Sequence, residues 1–79
     1  MTPFRKLTLS PINPQVFSVL TAEGEHVGNL KLIGGQWKFK AIGHEADGSV
    51  VPGGGPLTDR HNMVFTVADE ALVSKGLAF

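Results

Sequence analysis

Three lysines, Lys31, Lys38 and Lys40, lie close to a Gly34-Gly35 pair and could together bind an anion. The two glycines separate runs of alternating apolar residues, which predicts a hairpin with a two-residue primed turn. That turn places Lys31 directly opposite Lys38, where like charges destabilise the strand pair by roughly a few tenths of a kcal/mol. An anionic ligand would relieve this repulsion, and a basic sheet face that tracks a phosphate backbone is typical of single-stranded nucleic-acid binding.

Other observations favour simpler explanations of these lysines. The aromatic rings that would stack on bases, Trp37 and Phe39, fall on the opposite face of the predicted hairpin, where they would belong to a core. Carboxylates from the acidic half of the chain could neutralise the ammonium groups, or the lysine stems could cover Ile33 and Ile42 while the charges stay in water. Single-stranded nucleic-acid binding is therefore an alternative function.

A second candidate site is the glycine-rich segment over residues 52–62. Consecutive glycines let a backbone approach a ligand closely, and successive amides can cradle an anion. The segment has neither P-loop nor dinucleotide-binding spacing, which leaves no nucleotide motif. The alternative function that it indicates is a small anionic-ligand site or an enzyme. The segment could equally bridge the sheet to the last strand, with Asp59 and Asn62 satisfying turn amides. Its candidate binding residues are Gly53, Gly54, Gly55, Arg60, His61 and Asn62.

Catalytic and metal-binding patterns are weak in this sequence. A cluster of His44, His61 and Asp59 can be imagined, but its spacing matches no metal or acid–base template, and the chain has no cysteine. No serine has the Gly-x-Ser-x-Gly context of a nucleophile. We therefore expect no catalytic residue, metal or cofactor, and the sequence favours a protein that is not an enzyme.

The charge balance limits the partners. The 79 residues carry seven basic and seven acidic side chains, which removes the simplest case for a nucleic-acid or membrane-surface binder. Residues 1–42 hold five basic against two acidic side chains, and residues 43–79 hold two against five. Either the first half presents a basic surface to a partner, or the two halves attract each other.

The length predicts a single small domain over residues 1–79. Without cysteine, that domain must be stabilised by packing or by oligomerisation. No signal-peptide pattern and no apolar run of membrane length occurs, so we expect a cytoplasmic protein without a membrane partner.

An antiparallel meander of about four strands is predicted for residues 16–51. A two-residue turn at Gly24 and a third hairpin turn at Asp47-Gly48 lie on either side of the central hairpin. One face of this meander is consistently apolar, as the two-residue period of a strand requires. That face comprises Phe17, Val19, Leu30, Leu32, Trp37, Phe39 and Ala41.

A helix over residues 67–75 is predicted to cover the apolar face. Thr66 and Asp69 have the spacing of a capping box, which indicates where the helix begins. Lys75 in the last turn and Gly76 after it are typical of a helix end.

Two further short strands are predicted at Phe4–Leu9 and Met63–Phe65, with a turn over residues 10–14 after the first. The fold class is thus α+β, an antiparallel meander of about four to six strands packed by one C-terminal helix. The second face of the meander carries apolar residues between its lysines, so either a second subunit or strand Phe4–Leu9 is expected to cover it. We accordingly predict a non-catalytic interaction module that self-associates or binds a macromolecular partner.

The stretches Gly34–Gly43, Pro52–Thr58 and Arg60–Asn62 resemble small uncharacterised bacterial proteins that occur as stand-alone short chains. The resemblance covers roughly residues 24–65. It implies a bacterial, cytoplasmic protein and brings no activity and no functional residue with it.

Overall fold

Six antiparallel strands, one short α-helix and a single 3-10 turn at Thr58–Arg60 make up the fold over residues 6–77, the part of the chain that this computed structural model describes. The elements are β1 (Leu7–Asn13), β2 (Val16–Thr21), β3 (His26–Ile33), β4 (Gln36–His44), β5 (Val50–Pro52), β6 (Val64–Phe65) and α1 (Glu70–Gly76). The strands follow the order β1-β2-β3-β4-β5, and β6 pairs with β4 beside β5. This architecture confirms the predicted α+β class, with a meander packed by a C-terminal helix.

The central hairpin has the predicted register. Gly34 and Gly35 both adopt positive φ, +57° and +79°, as a primed two-residue turn requires. In consequence β3 and β4 pair Leu30 with Phe39 and Lys31 with Lys38. Every second residue of each strand therefore faces the core, beginning from the paired Leu30 and Phe39.

The loop between β2 and β3 differs from the predicted two-residue turn. The Thr21 N–H donates to the Glu25 carbonyl at 2.9 Å, so the loop that this bond closes has three residues, 22–24, and its Gly24 takes a positive φ of +87°. A three-residue loop by itself would turn the apolar residues of β2 away from those of β3. Val27 corrects this as the extra residue of a β-bulge, since Val19 pairs with Gly28 and Leu20 with His26.

The bulge restores the predicted shared face. Phe17 lies directly opposite Leu30, and Val19 lies on the same side of the sheet. Both side chains thus pack towards the core, as the apolar pattern predicts. Val27 itself is fully buried in that core.

The third hairpin lies at the predicted Asp47-Gly48 position. Glu45 donates its N–H to the Ser49 carbonyl at 2.8 Å, and Gly48 has a positive φ of +92°. β5 then returns along β4, with Val51 opposite Gly43. Pro52 closes this short edge strand, where a missing amide donor is tolerated.

The N-terminal strand lies in the sheet instead of crossing it. The predicted turn over residues 10–14 is wrong: β1 continues to Asn13, and the chain reverses at Pro14 and Gln15. Residues 4 and 5 of the predicted first strand lie outside the described residues. Because β1 pairs with β2 as an edge strand, it does not cover the second sheet face within residues 6–77.

The helix α1 begins three residues later than the sequence pattern predicts. Asp69, rather than Thr66, is the N-cap, because its side chain accepts the Leu72 N–H at 3.0 Å. Gly76 is the last helical residue, and a Cβ there would lie 2.5 Å from the Phe65 ring. Close packing against Phe65 therefore explains why position 76 is a glycine. No helix of residues 6–77 is long and apolar enough to span a membrane.

One apolar core lies between α1 and the sheet. The predicted face contributes Val19, Leu30, Phe39 and Ala41 as buried residues, and Phe17 and Trp37 pack against them. Burial of each large side chain stabilises the fold by about 1.5–3 kcal/mol. The other members of the cluster are Leu7, Val27, Leu57, Val73 and Leu77.

Side chains of α1 also cap the free edge of β1. The Leu7 N–H donates to the buried Ser74 hydroxyl at 2.8 Å, and the Leu9 N–H donates to Glu70 Oε2 at 2.9 Å. The next residue of the same parity is Pro11, which has no N–H. The edge of β1 over these residues therefore offers no amide donor to another strand.

Replacing Ser74 by alanine tests this capping. The substitution leaves the buried Leu7 N–H without an acceptor, so we expect a loss of about 1–3 kcal/mol in the free energy of unfolding, measured by urea denaturation. Ser10→Ala, at an exposed position of β1, should change it by less than about 0.5 kcal/mol. Equal effects of the two substitutions would argue against the capping role.

Candidate binding face

The sheet surface opposite α1 carries the three predicted lysines, and we call it the lysine face. Lys31 lies directly opposite Lys38, as predicted, and is exposed, whereas Lys38 and Lys40 are half-buried. By the strand registers the lysine face comprises Thr8, Ser10, Val16, Ser18, Leu20, His26, Asn29, Lys31, Ile33, Gln36, Lys38, Lys40, Ile42, His44, Val50, Pro52 and Val64. α1 packs on the other side of the sheet, whereas Asn62 reaches Lys40 on this face and Ile42 is only 7% exposed there.

The two predicted sites meet on this face. The Lys40 ammonium donates to the Asn62 side-chain oxygen at 2.6 Å, which joins the lysines to the end of the glycine-rich segment. Asn62 reaches this position because its N–H donates to the Phe39 carbonyl at 2.7 Å and its φ is +73°. Asparagine tolerates that left-handed conformation better than most residues.

The lysine pair has no carboxylate beside it in the strand register. Lys31 is flanked across the sheet by Val16 and Lys38, and Lys38 is flanked by Lys31 and Val64. Among the described strands, the direct cross-strand neighbours of this pair thus include no acidic residue. The predicted repulsion between the two ammonium groups is therefore not offset within the sheet itself.

A row of polar side chains crosses the middle of the lysine face. Ser10 lies opposite Ser18, Ser18 opposite Asn29, and Asn29 opposite Lys40. His26 Nε2 lies 2.9 Å from the Asn29 side-chain oxygen. The two-residue period of a strand places Ser18 and Asn29 on the face of Lys31 and Lys40, whereas Ser10 joins this face only through the pairing of β1 with β2.

The glycine-rich segment is held against the outer edge of β4. The Gly53 N–H donates to the Ala41 carbonyl at 2.7 Å, and the Gly54 N–H donates to the Val51 carbonyl at 3.1 Å. The Thr58 hydroxyl donates to the Gly53 carbonyl at 2.7 Å. The N–H groups of Gly53 and Gly54 are therefore already hydrogen-bonded to carbonyl groups of β4 and β5. This geometry favours the bridging explanation of the segment.

Gly55 has a steric role in this arrangement. Its φ is +84°, and a Cβ on it would lie 2.1 Å from the Ile42 carbonyl oxygen. A Cβ on Gly43 would lie 2.6 Å from the Gly55 nitrogen, so the two backbones are in direct contact. Only residues without a side chain allow this approach.

A pair of glycine substitutions tests the contact. Gly48→Ala has the same positive-φ penalty in open space, so we expect a cost of about 1–2 kcal/mol. Gly55→Ala adds a backbone collision, and its cost in the free energy of unfolding should be clearly larger. Chemical denaturation of both variants makes the comparison, and similar costs would contradict the close packing of the loop.

His61 fills a gap in the ladder of β4. Its Nδ1 accepts the Ala41 N–H at 3.1 Å, between the stretch paired with β5 and the stretch paired with β6. Its ring lies over Gly53, where a Cβ would be 3.6 Å from Nε2. An accepting Nδ1 must be unprotonated, so the neutral ring carries its proton on Nε2. Arg60, by contrast, is exposed.

Removing the imidazole tests this role. In His61→Ala the Ala41 amide, which is buried, loses its acceptor, so we expect a loss of about 1–3 kcal/mol in unfolding free energy. Amide hydrogen exchange should become faster at Ala41 than at Leu30 in the core. The matched control is His44→Ala, at an exposed position. Unchanged protection of Ala41 would refute the assignment.

Four of the seven acidic residues lie in loops at one end of the sheet. Because neighbouring strands alternate in direction, the β2–β3 and β4–β5 loops lie at the same end, whereas the Lys31–Lys38 pair lies towards the other end, near Gly34. These two loops carry Glu23, Glu25, Glu45 and Asp47. Lys6 precedes β1 at the acidic end as well.

Asp47 stays charged at this end of the sheet. The Ser49 hydroxyl and the Ser49 N–H both donate to Asp47 Oδ1, and these bonds lower the pKa of Asp47 from its ordinary value.

Residues 6–77 contain no group of three or more acidic, histidine or cysteine side chains arranged to hold a metal ion.

Comparisons with known proteins identify no family. No protein-family model matches the chain, and no curated protein or solved structure is detectably similar to it. The resemblance of residues 24–65 to small bacterial proteins therefore stays a prediction.

Proposed function

We propose that this protein is a non-catalytic binding module that docks an acidic macromolecular surface on its lysine face. The observation that carries the proposal is the Lys31–Lys38 pair: the two lysines lie directly opposite each other on the sheet surface away from α1, and none of their cross-strand neighbours in the described strands is acidic. Acidic groups from a partner would relieve the repulsion and gain charge-assisted contacts. We expect it to act in the cytoplasm.

The edges of the sheet are less suited to a partner than the face. α1 and Pro11 leave β1 without free donors over residues 7–11, and β5 ends in Pro52 after only three residues. Short or capped edges of this kind resist the addition of a foreign strand. A partner is therefore expected on the face, where side chains rather than backbone groups make the contacts.

The composition of the face favours a protein surface over a nucleic acid. Ile33 and Val64 are 48% and 43% exposed beside the lysines, so a partner would bury apolar as well as charged groups. Base stacking needs exposed rings, but Phe39 is buried and Trp37 packs against Phe17 on the core side, with ring centroids 5.4 Å apart. Binding of single-stranded nucleic acid is accordingly the alternative that the test below distinguishes from the proposal.

Charge reversal of the lysine pair tests the function. We expect Lys31→Glu/Lys38→Glu to weaken binding of a fluorescent polyglutamate probe at least about tenfold, since like charges would then face the probe. Binding by the wild type should also weaken as salt is added. Fluorescence anisotropy provides the measurement.

The control is Lys75→Glu, which makes the same kind of charge change in α1, on the other side of the sheet. It should bind the probe like the wild type. Equal losses in both variants, or no binding of the probe at low salt, would overturn the proposal. A single-stranded oligonucleotide that binds far more tightly than polyglutamate would favour the nucleic-acid alternative instead.

A further inference from the structure

Three lysines and one asparagine form a compact square on the lysine face. Lys31 lies directly opposite Lys38, and Asn29 lies directly opposite Lys40, two residues away along the same two strands. Side chains that are opposite or diagonal across an antiparallel pair start within about 8 Å of each other. Because a lysine stem is long and flexible, the three ammonium groups can converge on one bound group.

The charge of this square selects the kind of anion that fits it. Its three lysines carry three positive charges, and among the described strands the cross-strand neighbours of Lys31 and Lys38 include no carboxylate. A carboxylate brings one negative charge and two oxygens. A phosphate monoester brings a charge of about −1.5 to −2 and three acceptor oxygens. One phosphate can thus accept a hydrogen bond from each lysine and neutralise more of the charge.

Lys40 keeps donors for such a ligand. Its ammonium gives one hydrogen bond to the Asn62 side-chain oxygen at 2.6 Å. A lysine ammonium has three N–H donors, so two stay available for an anion. The bond to Asn62 also restricts the positions that the ammonium takes, which lowers the side-chain entropy that binding must remove.

Apolar side chains flank the lysine pair on both sides. The strand register runs Val16, Lys31, Lys38 and Val64 in one row across β2, β3, β4 and β6. Val64 is 43% exposed, and Val16 is half-buried. Neighbouring strands are about 4.8 Å apart, so each valine lies about 7 Å from the midpoint of the lysine pair.

That spacing matches an extended peptide that crosses the strands. An extended chain rises about 3.3 Å per residue and points every second side chain to the same side. Residues two places before and two places after a central residue therefore lie about 7 Å from it, on the same side of the peptide. With a phosphorylated residue over the lysine pair, these two residues come over Val16 and Val64.

We propose that the acidic group bound by the lysine face is a phosphate monoester on an extended segment of a partner protein, with an apolar residue two places to either side of the phosphorylated one. This inference rests on the proposed function and names the chemistry of its partner. Charge-assisted hydrogen bonds to phosphate are roughly twice as strong as neutral ones. Free phosphate lacks the apolar contacts, and each phosphate of a nucleic-acid backbone carries only one charge.

Fluorescence anisotropy tests the inference with a labelled peptide of the order valine-alanine-phosphoserine-alanine-valine. We expect this peptide to bind at least about tenfold more tightly than the same peptide with glutamate in place of phosphoserine, because glutamate has less charge and fewer acceptor oxygens. Serine in place of both valines should weaken binding severalfold, since the contacts with Val16 and Val64 are lost.

Variants of the lysine pair locate the binding. Lys31→Gln/Lys38→Gln should weaken binding of the phosphopeptide on the order of 100-fold, because two of the three charged donors are removed. Lys75→Gln, which removes the same kind of charge from α1 on the other side of the sheet, is the control and should bind like the wild type. Equal losses in the two would overturn the inference. Circular dichroism and Trp37 fluorescence establish that each variant is folded.

The third lysine has a matched pair of variants. Lys40→Met removes the ammonium together with its bond to Asn62. Asn62→Gly removes the bond but keeps the ammonium, and glycine suits the φ of +73° at that position. We expect Lys40→Met to weaken phosphopeptide binding at least about tenfold and Asn62→Gly to change it much less. Equal effects would overturn the role of Lys40 as the third donor.

The remaining outcomes separate this inference from the proposed function. Equal binding of the glutamate and phosphoserine peptides overturns phosphate recognition, but polyglutamate binding that depends on Lys31 and Lys38 would still support the function. Inorganic phosphate that competes as well as the phosphopeptide overturns the peptide segment as the occupant. A single-stranded oligonucleotide that binds more tightly than the phosphopeptide overturns it in favour of a nucleic acid. If neither polyglutamate nor the phosphopeptide binds at low salt, the inference and the proposed function both fail.

Discussion

The outer edge of β4 is the constraint on which the second half of the fold depends. β3 satisfies one edge of this strand, and the backbone groups of the other edge need partners from the chain that follows. β5 pairs with Ile42–His44, Gly53 and His61 bond to Ala41, residues 62 and 63 bond to Phe39, and β6 pairs with Trp37 and Lys38. Residues 50–53 and 61–65 therefore pair with successive parts of the same strand.

This constraint also explains why a glycine-rich segment and a lysine face come together. The chain must leave β4 after β5, pass the Gly43–Gly55 contact and return to the same edge as β6. Asn62 then comes within reach of the Lys40 ammonium as a result of backbone pairing. The glycines of the segment act in the packing of that crossover, and the lysine face carries the groups that are open to a partner.

The closed edges and the open face have a common physical origin. α1 contributes both the apolar side chain of Val73 to the core and the polar side chains of Ser74 and Glu70 to the edge of β1. One short helix can cover one face of a six-stranded sheet and cap one edge, but it cannot cover the second face. The binding proposals depend on this, since they need a face without a cover and edges that do not attract strands.

Local patterns were sufficient for the hairpin register and for the face that each residue takes. Gly34-Gly35 sets the turn, the turn sets the pairing of Lys31 with Lys38, and the two-residue period of a strand assigns the core side. The turn predicted at Gly24 gave the correct face for Phe17 and Val19 but the wrong loop length. The compensating bulge at Val27 lies three residues further on, where a buried apolar residue looks the same in sequence whether it is bulged or not.

The sequence by itself thus determined the α+β class, the central register and the opposition of like charges, because these depend on neighbours within a few residues. Only the tertiary structure decided that β1 extends the sheet, that Asp69 caps α1, that His61 bonds to Ala41 and that Asn62 meets Lys40. Each of these contacts joins segments distant in sequence, or chooses between nearby caps by the way the helix packs. Which backbone group lacks a partner becomes known only when the whole sheet is assembled.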